Sequence, residues 1–96
     1  MRARDFQKVA PTFSTHETHL GAIPFAMGLS AEAGEVANEF ERMMRRGGRL
    51  DHEKTRAEMG DVLWHLANLA EKLGWDLEEI MDENIDKLEK RYHDQA

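Results

Sequence analysis

The chain has 96 residues, a formal net charge of −6 and no cysteine. A chain of this length forms one domain, here 1–96, and buries only about 60–65% of the surface that its unfolded form exposes, so help from a partner subunit is expected. The acidic charge argues against a nucleic acid polymer as partner, because a phosphate backbone attracts basic surfaces. The absence of cysteine excludes disulfides and thiolate metal sites. No apolar run reaches the roughly 18 residues of a membrane span, so the sequence predicts a cytoplasmic protein without a membrane partner.

Glycine and proline divide the chain into four predicted helices, and no segment alternates with the period of a strand. The predicted boundaries fall at residues that favour a helix start or stop: Pro11, Pro24, Gly47, Asp51, Gly74 and Asp76. Residues 12–23 form a connector between the first two helices. Long helices joined by short loops pack antiparallel. The sequence therefore predicts an all-α fold, a small antiparallel bundle of about four helices, in which a short first helix precedes three longer ones.

Two similar segments carry the main functional signal, AEAGEVANEFERM at 31–43 and AEMGDVLWHLANL at 57–69. Each joins an apolar stripe to two acids three residues apart, Glu32 with Glu35 and Glu58 with Asp61. At roughly 100° per residue, both acid pairs lie on the same edge of the apolar arc of their helix. Like charges at this spacing destabilise a helix unless something neutralises them. Four oxygen ligands on two facing helices suit Mg²⁺ or Mn²⁺.

Further residues lie on the same edges of these two helices. Glu39 is a candidate to complete the metal shell, whereas His65 is equally well explained as a hydrogen-bonded packing residue. A glycine lies inside each acid pair, Gly34 in the first and Gly60 in the second. Glycine inside a helix costs roughly 1 kcal/mol relative to alanine. We therefore expect close approach of the neighbouring helix or of a ligand at these two glycines.

The fourth helix carries an amide and two cations, Asn84, Lys87 and Arg91, beside its apolar arc. These three residues are candidates for binding phosphate, and solvated side chains near a helix C-terminus are the alternative. The basic run RMMRRGGR at 42–49 is either the charged end of the second helix or a flap over a polyphosphate. Trp64 lies away from the apolar arc of the third helix, which favours a subunit interface over base stacking.

The two acid pairs resemble the signature of the MazG-like, all-α nucleotide pyrophosphohydrolases, Glu-x-x-Glu followed by Glu-x-x-Asp. Here the signature stands as EAGE at 32–35 and EMGD at 58–61, and the resemblance extends from about FAMGLSAEAGEV to NIDKLEKRY. It implies a helical fold that forms homodimers or homotetramers. It also implies hydrolysis of a nucleoside triphosphate, an NTP or a dNTP, to the monophosphate and pyrophosphate. The release of pyrophosphate by the family favours attack at the α-phosphorus, and the residues themselves do not distinguish attack at the α-phosphorus from attack at the β-phosphorus. One position departs from the family pattern, because Ala31 stands where many members carry a further glutamate.

The resemblance also assigns roles to individual residues. It implies that Mg²⁺ is held by Glu32, Glu35, Glu58 and Asp61. The stretch NIDKLEKR at 84–91 is similar to the C-terminal motif of the family, which implies phosphate or sugar contacts by Asn84, Lys87 and Arg91. Glu35 or Glu39 is then the catalytic residue that orients the attacking water, either directly or through the metal.

Two other interpretations remain open from the sequence. One is a related enzyme with a narrower substrate, such as dUTP, dCTP or phosphoribosyl-ATP, which helix periodicity does not distinguish. The other is a non-catalytic helical interaction module, in which the acids form a charged face and Trp64 contacts the partner. A di-iron bundle is disfavoured, because no histidine follows a glutamate by three residues.

Overall fold

A computed structural model describes residues 1–14 and 20–93 of the chain, and within these residues it contains four α-helices and no strand. The helices are α1 (Ala3–Val9), α2 (Ile23–Arg45), α3 (His52–Leu73) and α4 (Leu77–Tyr92), and a 3-10 turn (Ala10–Phe13) follows α1. The predicted all-α bundle with a short first helix is confirmed. Residues 15–19 of the predicted connector, which include His16 and His19, lie outside the described residues. No helix in the described part is long and apolar enough to cross a membrane.

The helix boundaries fall close to where the sequence predicts them, because the same capping residues act in the structure. The Asp51 carboxylate accepts a hydrogen bond from the Lys54 amide at 3.0 Å and caps α3. Gly74 ends α3 in the left-handed conformation, with φ at 74°, which glycine adopts at no steric cost. The Asp76 carboxylate then accepts from the Glu78 amide at 2.9 Å and caps α4. The turn between α3 and α4 is therefore short.

The α2 and α3 helices form the principal antiparallel pair, and α1 lies against α3 and α4. Where α1 ends, a small apolar core buries Ala10, Ala67 and Leu77. Trp64 packs against this core, and its indole N–H donates a hydrogen bond to the Ala10 carbonyl at 3.0 Å. The chain's own N-terminal segment therefore covers part of Trp64, which remains half-buried, and its contact with another subunit stays a prediction.

Polar contacts fix α1 to the turn between α3 and α4. The buried Gln7 side chain donates to the Trp75 carbonyl at 2.7 Å and accepts from the Leu77 amide at 2.9 Å. The Arg4 guanidinium pairs with the Asp76 carboxylate at 2.6 Å. One side chain therefore pairs with both the Trp75 carbonyl and the Leu77 amide of the turn. These contacts hold the start of α4 in a fixed position relative to α1.

The Arg4–Asp76 ion pair predicts an acid-sensitive contribution to stability. The hydrogen bond from Arg4 is the main cause that lowers the pKa of Asp76. A carboxyl whose pKa is lowered by folding stabilises the fold where it is ionised, so the contribution is present above about pH 4 and is lost as the pH falls through the lowered pKa. We expect Asp76→Asn, which keeps an N-cap residue, to lower the melting temperature at pH 7 and to leave it unchanged at the acid end.

A series of melting curves from neutral to acid pH measures this difference. Asp86→Asn is the matched control, because Asp86 is exposed on the same helix and makes no ion pair within the described residues. A difference between Asp76→Asn and wild type that stayed constant over the whole pH range would contradict the prediction.

The apolar arcs that the sequence predicts as core are only partly covered in a single chain. Phe40 on α2 is 44% exposed, and Met81 and Ile85 on α4 are 52% and 56% exposed. The chain exposes 7371 Å², whereas a compact monomer of 11.1 kDa exposes about 5,700 Å². Its radius of gyration is 16.1 Å, against about 12–13 Å for a compact domain of this length. A single chain therefore leaves these arcs only partly covered, because α4 makes little contact with α3.

Candidate functional site

Two observed contacts fix the register of the antiparallel α2–α3 pair. In the first half of α2 the His65 imidazole lies against Gly28, so close that a Cβ there would lie 2.3 Å from the ring. Further along α2 the Lys54 ammonium lies 3.6 Å from the Glu39 carboxylate. Gly28 to Glu39 and Lys54 to His65 are both separations of eleven residues. The two contacts therefore belong to one continuous seam between the helices.

The acids lie between these two contacts on the same helix faces. Residues spaced by three or four positions share one face of a helix. From Gly28 this spacing reaches Glu32 and then Glu35 along α2, and from His65 it reaches Asp61 and then Glu58 backwards along α3. We call the resulting seam the acid ladder, and its four rungs are Gly28 opposite His65, Glu32 opposite Asp61, Glu35 opposite Glu58, and Glu39 opposite Lys54. The four sequence-predicted metal ligands occupy the two central rungs.

Glu58 is the buried member of the central rungs. Its side chain is 8% exposed, and its Oε2 atom has no hydrogen-bond partner among the described residues. Burial is the main cause that raises the pKa of Glu58, and the nearby Glu39 and Glu35 raise it further, while Lys54 and Arg42 oppose this. A buried carboxylate oxygen without a partner is costly unless a cation or a donor binds it. The Glu58 environment therefore fits a hard divalent cation, which takes carboxylate oxygens.

The other three acids of the central rungs are more accessible. Glu35 and Asp61 are exposed, and Glu32 is half-buried. Within residues 1–14 and 20–93, no three His, Asp or Glu side chains come close enough together to hold a metal ion. Repulsion between like charges on neighbouring rungs favours such a spread arrangement. The helix register thus places the acids opposite one another, while no three of their carboxylates come together within the described residues.

Glu39 closes one end of the acid ladder as an ion-paired residue. It is 2% exposed, and its carboxylate contacts both the Arg42 guanidinium and the Lys54 ammonium. Two cations therefore already neutralise this candidate ligand. The sequence reasoning missed Lys54 altogether and placed Arg42 only in the basic run. Their spacing could have identified them, because residues three or four positions apart share one face of a helix. Lys54 lies four residues before Glu58, and Arg42 lies three residues after Glu39.

His65 closes the other end of the acid ladder. Its Nδ1 atom lies 2.8 Å from the Asp61 carbonyl oxygen, which can only accept, so Nδ1 carries the proton. The interpretation of His65 as a hydrogen-bonded packing residue is therefore confirmed. Of the two explanations for Gly34 and Gly60, close approach of a neighbouring helix is wrong, because no atom of the described residues lies within 4 Å of a Cβ built at either position. Close approach of a ligand at these glycines stays a prediction. The glycine at which the helices meet is Gly28.

The residues of α4 with predicted roles in substrate binding are exposed. Asn84 and Lys87 border a shallow groove on α4, and their side chains make no hydrogen bond or ion pair with any described residue. The Arg91 guanidinium lies 5.9 Å from the centre of the Tyr92 ring. No hydrogen bond or ion pair within the described residues joins these three side chains to the acid ladder. One chain therefore brings the four acids to a common seam but does not link the α4 residues to it.

The chain is similar to known proteins over most of its length. The family model of the MazG nucleotide pyrophosphohydrolase domain matches residues 24–95, which include both acid pairs and α4. The gene 37 protein of Mycobacterium phage L5 is 39% identical over an alignment of 69 residues, which covers 68% of this chain and 60% of the phage protein. The chain thus spans about three fifths of the length of that relative. No solved structure matches the chain.

Proposed function

Because this chain belongs to the MazG nucleotide pyrophosphohydrolase family, we propose that it hydrolyses a nucleoside triphosphate, an NTP or a dNTP, to the monophosphate and pyrophosphate. The proposed cofactor is Mg²⁺, for which Mn²⁺ can substitute, and the proposed ligands are the acids of the two central rungs, Glu32, Glu35, Glu58 and Asp61. The observation that carries the proposal is the buried, unpartnered Oε2 atom of Glu58 in the middle of the acid ladder. When bound, Mg²⁺ offsets the negative charge of the triphosphate.

Glu35 is the acid that we assign to orienting the attacking water. It is exposed, it lies on the same rung as the buried Glu58, and the water must reach the substrate from solvent. Glu39 was the other candidate, but its carboxylate is held by Arg42 and Lys54. We assign Glu39 to charge balance at the end of the acid ladder. In the reaction the water oxygen bonds to the α-phosphorus, the bond from that phosphorus to the bridging oxygen breaks, pyrophosphate leaves, and the water proton passes to Glu35.

The cations of α4 are proposed to bind the anionic part of the substrate. Lys87 and Asn84 are free of partners within the described residues, so no existing bond has to break before they bind phosphate or sugar. Arg91 presents a planar guanidinium, which can hold a phosphate through two parallel hydrogen bonds. Because none of the three is joined to the acid ladder in one chain, we propose that the full site requires a second chain.

Self-association as a homodimer or homotetramer is therefore part of the proposal. The chain exposes about 1,700 Å² more than a compact monomer of its mass, which is about the area that each partner buries in a large permanent interface. An apolar groove between α2 and α3 is lined by Ala33, Val36, Met59, Val62 and Leu63. A second copy that covers this groove would bury apolar surface of α2 and α3 that the single chain leaves open.

The test of the reaction is a product analysis with the whole chain. The protein is incubated with canonical NTPs and dNTPs and with phosphoribosyl-ATP, in Mg²⁺ and in chelator, and pyrophosphate, orthophosphate and nucleotides are quantified. We expect monophosphate and pyrophosphate in Mg²⁺ and no product in chelator. Release of orthophosphate with a nucleoside diphosphate would overturn attack at the α-phosphorus. If no nucleotide reacted and Mg²⁺ did not raise the melting temperature, the interaction module would replace the enzyme.

A further inference from the structure

We infer that the contact between Gly28 and His65 sets the distance between α2 and α3 at the Glu32–Asp61 rung, so that His65 is a positioning residue for these two metal ligands. The inference rests on the proposed function, because it concerns the geometry of the proposed metal site. It goes beyond that function in assigning a role to two residues that lie outside the acid pairs.

The contact leaves no room for a Cβ at position 28 with the His65 ring in its present place. Both Cδ2 and Nε2 of the His65 ring lie 2.3 Å from the place of that missing Cβ. Glycine inside a helix costs about 1 kcal/mol relative to alanine. Gly34 in the same helix has no neighbouring atom within 4 Å of its Cβ position, so the close approach within the described residues is specific to Gly28. Position 28 therefore accepts a larger residue only if the His65 ring or α3 shifts.

The His65 ring is also held from two other directions, so it does not swing away freely. Its Nδ1–H donates to the Asp61 carbonyl at 2.8 Å. Its ring meets the Trp64 ring edge to face, with centroids 4.9 Å apart. Trp64 is itself held by its hydrogen bond to Ala10 and by an edge contact with Phe25 at 5.8 Å between centroids. A methyl group added at Gly28 would therefore push either the His65 ring out of these contacts or α3 away from α2.

This push would act directly on the first pair of metal ligands. Glu32 lies one helical turn after Gly28, and Asp61 lies one turn before His65, in the same direction along the seam. Four residues of α-helix span about 6 Å, over which a helix is stiff. Mg²⁺ requires near-octahedral oxygen ligands at about 2.0–2.1 Å, and a site that is about 1 Å too loose binds poorly. The helix separation at Gly28 therefore bears on the affinity for Mg²⁺.

The experiment measures Mg²⁺ binding by calorimetry, together with the melting temperature, in the whole chain without nucleotide. We expect Gly28→Ala to raise the Mg²⁺ dissociation constant at least tenfold. Gly34→Ala is the matched control for helix propensity, and we expect a higher melting temperature with an Mg²⁺ affinity within twofold of wild type. This difference between two Gly→Ala changes in one helix separates positioning from a general effect on the helix.

A size exchange across the contact tests the role of His65 itself. His65→Asn keeps a side-chain donor near the Asp61 carbonyl but lacks the ring atoms that reach Gly28, and we expect a several-fold weaker Mg²⁺ affinity. The double variant Gly28→Ala with His65→Asn refills the contact, and we expect it to bind Mg²⁺ more tightly than either single variant. This comparison also serves if Gly28→Ala alone does not fold.

The outcomes distinguish this inference from the proposed function. If wild type binds Mg²⁺ and both Gly28→Ala and His65→Asn bind it within twofold of wild type, the positioning role is overturned and the proposed function stands. If wild type binds no Mg²⁺, the proposed metal site fails and the positioning role fails with it.

Discussion

Glu58→Gln is expected to abolish Mg²⁺-dependent hydrolysis and, in the absence of metal, to raise the melting temperature. Burial is the main cause that raises the pKa of Glu58, followed by the negative charge of Glu39. A carboxyl whose pKa is raised by folding contributes stability below its ordinary pKa, and that contribution is lost as the pH rises through the raised value. Near neutral pH the ionised Glu58 therefore weakens the metal-free fold, and a neutral amide of the same shape relieves this effect.

The same substitution removes the ligand at the centre of the acid ladder. Mg²⁺ that binds only the folded state raises the melting temperature of wild type, and we expect no such rise in Glu58→Gln. A bound metal supplies several kcal/mol of transition-state stabilisation, and about 1.36 kcal/mol corresponds to a factor of ten in rate. We therefore expect pyrophosphate release to fall by about a thousandfold or more.

Melting curves and pyrophosphate release, each in Mg²⁺ and in chelator, measure both effects on one protein sample. Glu41→Gln is the matched control, because Glu41 lies off the acid ladder and makes an exposed ion pair with Arg45 at 2.8 Å. Such pairs contribute little to stability, so the control should behave as wild type. An Mg²⁺-dependent rise in the melting temperature of Glu58→Gln equal to that of wild type would remove Glu58 from the metal site.

The sequence predicts the elements of this fold well because each boundary has a local cause. Asp51, Gly74 and Asp76 act on the backbone within one turn of themselves, so their effect can be read without tertiary structure. The spacing of the two acid pairs likewise follows from helix geometry alone. What the spacing does not give is the register between α2 and α3, and the register decides which side chain faces which.

The residues whose surroundings the sequence does not predict are those that depend on the register or on a distant segment. Gly34 and Gly60 attract attention because they lie inside the acid pairs, but Gly28 is the glycine opposite a bulky residue. The Glu39 carboxylate is neutralised from Lys54 on the other helix. Trp64 is partly covered by a segment 54 residues earlier in the chain. The spacing of apolar residues likewise shows which face of a helix is apolar, but it does not show which segment covers that face.

Leu63→Lys is expected to dissociate the proposed oligomer and to remove most of the hydrolysis with it. Leu63 is 53% exposed in the single chain, and it borders both the groove between α2 and α3 and a second apolar groove lined by Phe6, Leu77 and Met81. A second copy that covers these grooves would bury an unpaired ammonium, which costs several kcal/mol. Because about 1.4 kcal/mol is a factor of ten, the dissociation constant should rise by about a thousandfold.

Sedimentation at several protein concentrations measures this change, with Leu73→Lys as the matched control. Leu73 is an apolar residue on the same helix with 43% exposure, and it borders neither groove. We expect wild type and Leu73→Lys to sediment as a dimer or tetramer and Leu63→Lys as a chain of 11.1 kDa. Hydrolysis should fall together with the mass, because a single chain leaves Lys87 unconnected to the acid ladder. A monomeric wild type that hydrolysed nucleotide at full rate would show instead that one chain brings α4 to the acids by moving it.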